Sequence, residues 1–236
     1  MASRPLAVTV GIELPPNFPL ADYNAIHQRV APLQPRLPEP FKQYAGAWNA
    51  VAFRYRAATE AIDALRKALE ASDSEGRYAQ ELSLFGFFGN AVAALDGLAY
   101  GLHAIGAMAA AASFPLDAKT LRAITVRSVA KAYVDGFRDE RLGSTLTSMA
   151  SDAVFVELAE IRNSLSHRSA SNRKITLASG KVPPAPPHWV LDYLQLRNDL
   201  ESLEISEAAM ARYMDWLSRH LRAAFADALL FISARF

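Results

Sequence analysis

Cysteine is absent from all 236 residues, which excludes a disulfide framework, a thiol nucleophile and cysteine-ligated zinc. That absence suits the cytoplasm, the localisation expected for this chain. An excess of charge of one sign is missing too. With 25 Lys and Arg against 24 Asp and Glu, the formal net charge is +1, so any nucleic-acid binding has to come from a local patch. No Walker loop, dinucleotide fingerprint or Gly-x-Ser-x-Gly elbow occurs, which removes most of the case for a nucleotide hydrolase or a serine hydrolase. The five histidines are widely spread and none forms a close pair, so no metal and no cofactor is expected. The start, Met1-Ala2-Ser3-Arg4-Pro5, lacks a charged segment followed by a long apolar run, so no secretory signal is evident.

What is present is apolar and helical in period. A hydrophobic content of 51% is ample for a packed core. Residues 1–40 hold eight of the thirteen prolines, which rules out a regular helix there, and Leu6-Ala7-Val8-Thr9-Val10-Gly11-Ile12 reads as a short strand. A proline-rich arm over 1–39, wrapping a helical body over 40–236, is the expected organisation. From Pro40, the residues Phe41, Tyr44, Trp48, Val51, Tyr55, Ala58, Ile62, Leu65 and Leu69 form one helical stripe, ended by Ser72-Asp73-Ser74-Glu75-Gly76. A second helix is expected over about 77–112, antiparallel to the first, and Asp117 is a candidate N-cap for a third over 121–137.

The second of these is nearly long enough to cross a membrane, and it contains Gly97-x-x-x-Gly101, the spacing that lets helices approach closely. Asn90, Asp96 and His103 argue against lipid. The two glycines lie opposite Val92, Leu95, Ala99 and Leu102, so a bundle helix packed on both sides is expected, with no membrane partner. Helix-turn-helix DNA binding is disfavoured, because the helices are too long and their outer faces carry mixed charge.

After Gly143-Ser144, the residues Leu146, Met149, Ala150, Ala153, Val154, Leu158, Ile161 and Leu165 recur at spacings of three and four, which predicts one long helix to about His167. Arg162 interrupts that stripe, where a guanidinium needs a carboxylate, a phosphate or a subunit boundary to offset its desolvation. Arg162 and His167 are separated by about 140° of helical rotation, whereas Asn163 and His167, four apart, share a face. Residues 169–190 read as a loop, with Ile175-Thr176-Leu177 and Trp189-Val190-Leu191 able to pair as a small hairpin. Arg173 and Lys174 in that loop read as solvated charge. The last helix begins near Ser206 and carries Met210, Tyr213, Met214, Leu217, Leu221, Phe225 and Ile232 on one stripe.

At Arg162-Asn163-Ser164-Leu165-Ser166-His167 the chain resembles the HEPN superfamily, whose signature is Arg, a polar residue, three to five further residues and then His, late in a helix of an all-α bundle. The apolar helix around Phe88-Gly89-Asn90-Ala91-Val92 resembles the family's other core helix, and the resemblance covers roughly residues 40–170. It implies a HEPN-like up-and-down helical bundle and a metal-independent endoribonuclease acting by 2′-hydroxyl attack. Enzymes of this kind include toxic or defence components of prokaryotic systems, with RNA as substrate, a homodimer as the working form and a cognate antitoxin as a further partner.

By that resemblance His167 would move protons, Arg162 would hold phosphate charge, and Asn163 would orient the imidazole or bind substrate. Arg168 and Ser166 would bind substrate alongside. Asp96, Tyr100 and His103, at i, i+4 and i+7, are expected to form a supporting polar network, with Asp96 as the candidate partner of Arg162. The competing expectations are a catalytically silent HEPN-like module that binds a nucleotide, RNA or a protein, and a bundle in which Arg162 serves only in an ion pair.

Overall fold

The computed structural model describes residues 6–7, 11–71, 73–137, 141–167, 172–174, 188–196 and 199–236. The protein is an all-α helical bundle with two small antiparallel sheets. Its helices are α1 (Leu20–Val30), α2 (Pro38–Ala68), α3 (Ser74–Ala109), α4 (Ala118–Arg122), α5 (Val126–Gly136), α6 (Arg141–Ser151), α7 (Ala153–His167) and α8 (Glu207–Ser233). Strands β1 (Leu6–Ala7) and β2 (Ile12–Glu13) pair with each other, and β3 (Asn172–Lys174), β4 (His188–Leu196) and β5 (Asp199–Ile205) form a sheet in that order. The chain divides into two compact units, Met1–Arg56 with Ala93–Asp152 and Leu217–Phe236, and Ala57–Val92 with Ala153–Trp216.

The first unit is built on the stripe of α2. Tyr44, Trp48, Val51 and Tyr55 are all fully buried. Trp48 stacks on Tyr23 of α1 with ring centroids 5.3 Å apart, and the two residues exchange hydrogen bonds: Trp48 Nε1 donates to the Tyr23 carbonyl and Tyr23 Oη to the Trp48 carbonyl. The N-terminal segment thus contains a helix that packs on α2, which corrects the proline argument. Between Pro19 and Pro32 the sequence is free of proline, and that gap holds all of α1. The expected single strand over 6–12 is instead two short strands around Gly11, whose φ of 63° lies in the left-handed region open to glycine.

The Gly97-x-x-x-Gly101 spacing lets α3 approach α2. A Cβ at Gly101 would lie 3.0 Å from the Trp48 ring, and one at Gly97 would lie 3.3 Å from the Ala47 carbonyl oxygen. Of the described helices, α3 alone is long and apolar enough to cross a membrane, and 56% of its most apolar window is buried inside the structure. Gly106 is tighter still, because a Cβ there would lie 2.5 Å from the buried Phe114 ring, itself packed against Tyr133 and Phe137. Gly106→Ala should therefore cost about 1–3 kcal/mol through overpacking. A lower urea midpoint with an unchanged slope is the expected reading, and an unchanged midpoint would mean that the ring moves aside freely.

Two helices expected to be continuous are broken. The third segment splits into α4, capped by Asp117 as expected, and α5, which starts at a capping box of Thr125 and Ser128. The helix leading to the motif is interrupted at Asp152, so that α6 and α7 replace one long helix. The apolar period runs through that break, which is why the sequence conceals it. Ala153 is accordingly exposed and Val154 half-buried, whereas Leu146, Met149, Leu158 and Ile161 are buried as expected.

Three histidines of the first unit, His27, His103 and His220, are held below the ordinary value of 6.5, chiefly by burial. Unfolded histidines take up protons near 6.5 and these folded ones only at lower pH, so below 6.5 the unfolded state binds more protons. Stability should fall as pH drops from about 7 toward 5.5, read as a decreasing urea midpoint. A midpoint that rises on acidification would contradict the burial account.

Candidate functional site

The second unit holds the motif. Leu158 and Ile161 anchor α7 in the core, and Ser164 is buried at 3% exposure while Leu165 is half-buried. The inner face thus continues through Ser164, so Arg162 and Asn163 come to lie at the half-buried flank and Ser166 in solvent. The Arg162 Nε is buried and has no hydrogen-bond partner among the described residues. A buried guanidinium N–H without an acceptor is costly, and an anionic oxygen is the acceptor that suits it best.

The backbone remains helical through His167, the last residue of α7. Positions 162 and 167 therefore do diverge by about 140° around the axis, while 163 and 167 are stacked one turn apart. A group at position 167 stands where the free carbonyls of the helix favour positive charge. Arg168 lies outside the described residues.

Two further side chains hold α7 in place. Tyr213 of α8 is buried and its hydroxyl donates to Glu157 Oε1, one and a half turns before Arg162. Burial first, and the Glu157 carboxylate second, push the Tyr213 hydroxyl far above its ordinary range, so it stays protonated and remains the donor. The ring of Tyr213 packs edge-on against Phe88 of α3. The sequence reading placed Tyr213 on the core stripe of α8 and gave Glu157 no role, since nothing in their spacing pairs two residues 56 positions apart.

Beyond α7 the chain turns into the sheet. The hairpin expected from Ile175-Thr176-Leu177 falls outside the described residues, and Trp189-Val190-Leu191 instead pairs with Asn172–Lys174 on one side and with β5 on the other. Strand β5 was not anticipated, although Asn198-Asp199 lies between Leu196 and Leu200 as a turn signal. Strand β4 packs against α7, and Trp189 is fully buried with its indole N–H lacking an acceptor among the described residues.

The expected supporting residues Asp96 and Tyr100 belong to the first unit. Tyr100 donates to Gln43 Oε1 at 3.1 Å and His103 Nε2 to the Pro115 carbonyl at 2.9 Å, so these two do not share a partner. Asp96 is exposed, and an exposed carboxylate contributes under about 1 kcal/mol to an ion pair. Among the described residues no group of three His, Asp or Glu side chains is placed to hold a metal ion.

Comparison with protein-family models, curated proteins and solved structures finds no match. The chemistry of the site therefore rests on α7 itself and on the elements packed against it.

Proposed function

We propose that this protein is a metal-independent endoribonuclease of HEPN type, of the class that serves as a toxin or defence component. The observation that carries the reading is Arg162-Asn163 followed one turn later by His167 at the end of α7, with the buried Arg162 Nε lacking an acceptor. In the reaction, the ribose 2′-hydroxyl loses its proton and attacks the adjacent phosphorus. The P–O5′ bond breaks, the 5′-oxygen takes up a proton, and the products are a 2′,3′-cyclic phosphate and a free 5′-hydroxyl.

Imidazole is the side chain suited to both proton transfers near neutrality, which is the role of His167. The guanidinium of Arg162 stabilises the charge that accumulates on the phosphoryl oxygens. Asn163, four residues before His167, orients the ring, and Ser166 and Arg168 bind the flanking backbone. Because 162 and 167 point apart on one helix, the working site is composed from two copies of α7 in a homodimer.

A second reading, a silent HEPN-like module that binds a protein partner, is favoured by a different feature. Tyr78, Leu82 and Phe85 recur at i, i+4 and i+7 on α3 with exposures of 64%, 54% and 47%. Incubating the purified protein with end-labelled RNA in excess EDTA separates the two. Cleavage supports the enzyme, and intact RNA at high protein concentration supports the silent module.

A further inference from the structure

We infer that the exposed row of Tyr78, Leu82, Phe85 and Gly89 on α3 is a docking surface for a second copy of this chain, with the two α3 helices packed antiparallel about a two-fold axis midway between positions 83 and 84. The inference rests on α3 alone and holds whether or not the protein cuts RNA.

Seven large apolar side chains are exposed among the described residues, and three of them, Tyr78, Leu82 and Phe85, follow one another along two turns of α3. Apolar residues exposed singly are ordinary, whereas a contiguous row marks a contact. Gly89 continues the row, and a Cβ built there would meet nothing within 4 Å. Glycine weakens a helix relative to alanine, and no neighbour among the described residues requires its small size at this position. The spacing of four, three and four residues is that of the seam between two packed helices. Phe87 lies on the opposite side of α3 and, with Phe88, packs against Tyr213, whose hydroxyl donates to Glu157 of α7. The row therefore faces away from Tyr213, and this contact is separate from the pairing of α7 proposed above.

The symmetry of the row identifies its occupant. Its spacings read the same in both directions, so an antiparallel copy centred between 83 and 84 sets Tyr78 against Gly89 of the second copy and Leu82 against its Phe85, and the reverse. The bulkiest side chain of the row thus meets the empty position at both ends of one contact. A parallel pair would set tyrosine on tyrosine and leave two glycines facing across a void. Tyr78, Leu82 and Phe85 offer on the order of 300 Å² in each copy, which suits the apolar centre of an interface of about 800 Å² per partner. Charge points the same way. Glu81 is the sole charged residue between positions 78 and 89, and Arg77 forms an ion pair with it at 3.8 Å. At the level of Glu81 the second copy presents Gly86, and at the level of Arg77 it presents Asn90, so no charge meets its like. A face without net charge has nothing to draw a nucleic acid or an anionic lipid surface, and it complements itself.

Because the chain has no cysteine, introduced thiols read the register directly. Full-length Tyr78→Cys and Gly89→Cys proteins are oxidised separately and as an equal mixture, then compared without reductant. Only the mixture should form a covalent dimer in quantity. Two copies of either cysteine alone lie as far apart along the axis as positions 78 and 89, about 16 Å, and a disulfide spans at most about 7 Å between Cα atoms. In sedimentation equilibrium, Leu82→Glu should weaken self-association by about thirtyfold. Gly89→Leu, which adds apolar surface but fills the position that receives Tyr78, should weaken it by about tenfold. None of the substituted residues is buried, and circular dichroism checks that each variant keeps its helices.

Cross-linking of either single protein as strong as that of the mixture would overturn the antiparallel contact. No cross-link in any sample, or a Gly89→Leu protein that associates more tightly than its parent, would overturn the second copy as occupant and leave the row to a different partner. Neither readout uses RNA, so the endoribonuclease reading stands or falls separately.

Discussion

On the endoribonuclease reading proposed above, Arg162→Ala and His167→Ala should each lower RNA cleavage by about a hundred- to a thousandfold, while the helical content of both proteins stays that of the parent. Positioned proton transfer and preorganised charge stabilisation each contribute on that scale, and neither depends on the stability of the bundle. Because groups that act together are not additive, the double variant should lose little more than the worse single one. The fold should survive because α7 is anchored by Leu158 and Ile161 and pinned by the hydrogen bond from Tyr213 to Glu157. At the Arg162 Nε no hydrogen bond within the described residues is lost on truncation. Initial rates on labelled RNA, paired with thermal melts, make the check. Variants that melt and lose activity together would instead give Arg162 a structural role.

If the proposed site is shared between two copies, dilution should abolish RNA cleavage. In a helix that stays regular to His167, positions 162 and 167 lie about 140° apart around the axis, which is the motive for a site shared by two copies of α7. Attack by a 2′-hydroxyl also benefits from a proton acceptor and a proton donor on opposite sides of the phosphorus, and the proposed dimer would supply both through two copies of His167. Unwinding at Ser166, which would bring the groups together within one chain, is not what the backbone does, since Ser166 and His167 are both helical.

Well below the dimer dissociation constant the fraction of dimer falls in proportion to total protein, so specific activity should fall about tenfold for each tenfold dilution. Sedimentation analysis alongside the dilution series provides the measurement. Undiminished activity in a verified monomer would exclude the shared site.

The parts of the fold that were legible in the sequence are those where burial alone sets the pattern. The stripe from Tyr44 to Leu65 on α2, the close approach at Gly97 and Gly101, and the stripe of α8 from Met210 to Ile232 are all buried as the period requires. Concealed features are those decided by a single residue or by contacts between distant segments. The break at Asp152 lies inside an unbroken apolar period, and α1 lies in a proline-rich region whose prolines happen to leave a gap long enough for three turns. Strand β5 needed its partner β4 before its short alternation meant anything.

For the site, the Arg162-Asn163-His167 run was visible as an interruption in an apolar stripe, because a charge in such a place demands a reason. Tyr213, Glu157 and Trp189 were not visible, since their roles come from pairings across the unit rather than from local spacing.

The most direct test is cleavage, in excess EDTA, of one RNA and of its counterpart carrying a single 2′-deoxynucleotide on the 5′ side of the mapped cut. The account predicts that the first is cut to a 2′,3′-cyclic phosphate and a 5′-hydroxyl and that the second survives at that position, because the attacking group has been removed. Cutting of the deoxy-substituted strand at the same position, or no cutting of either strand by the wild-type protein, would contradict it.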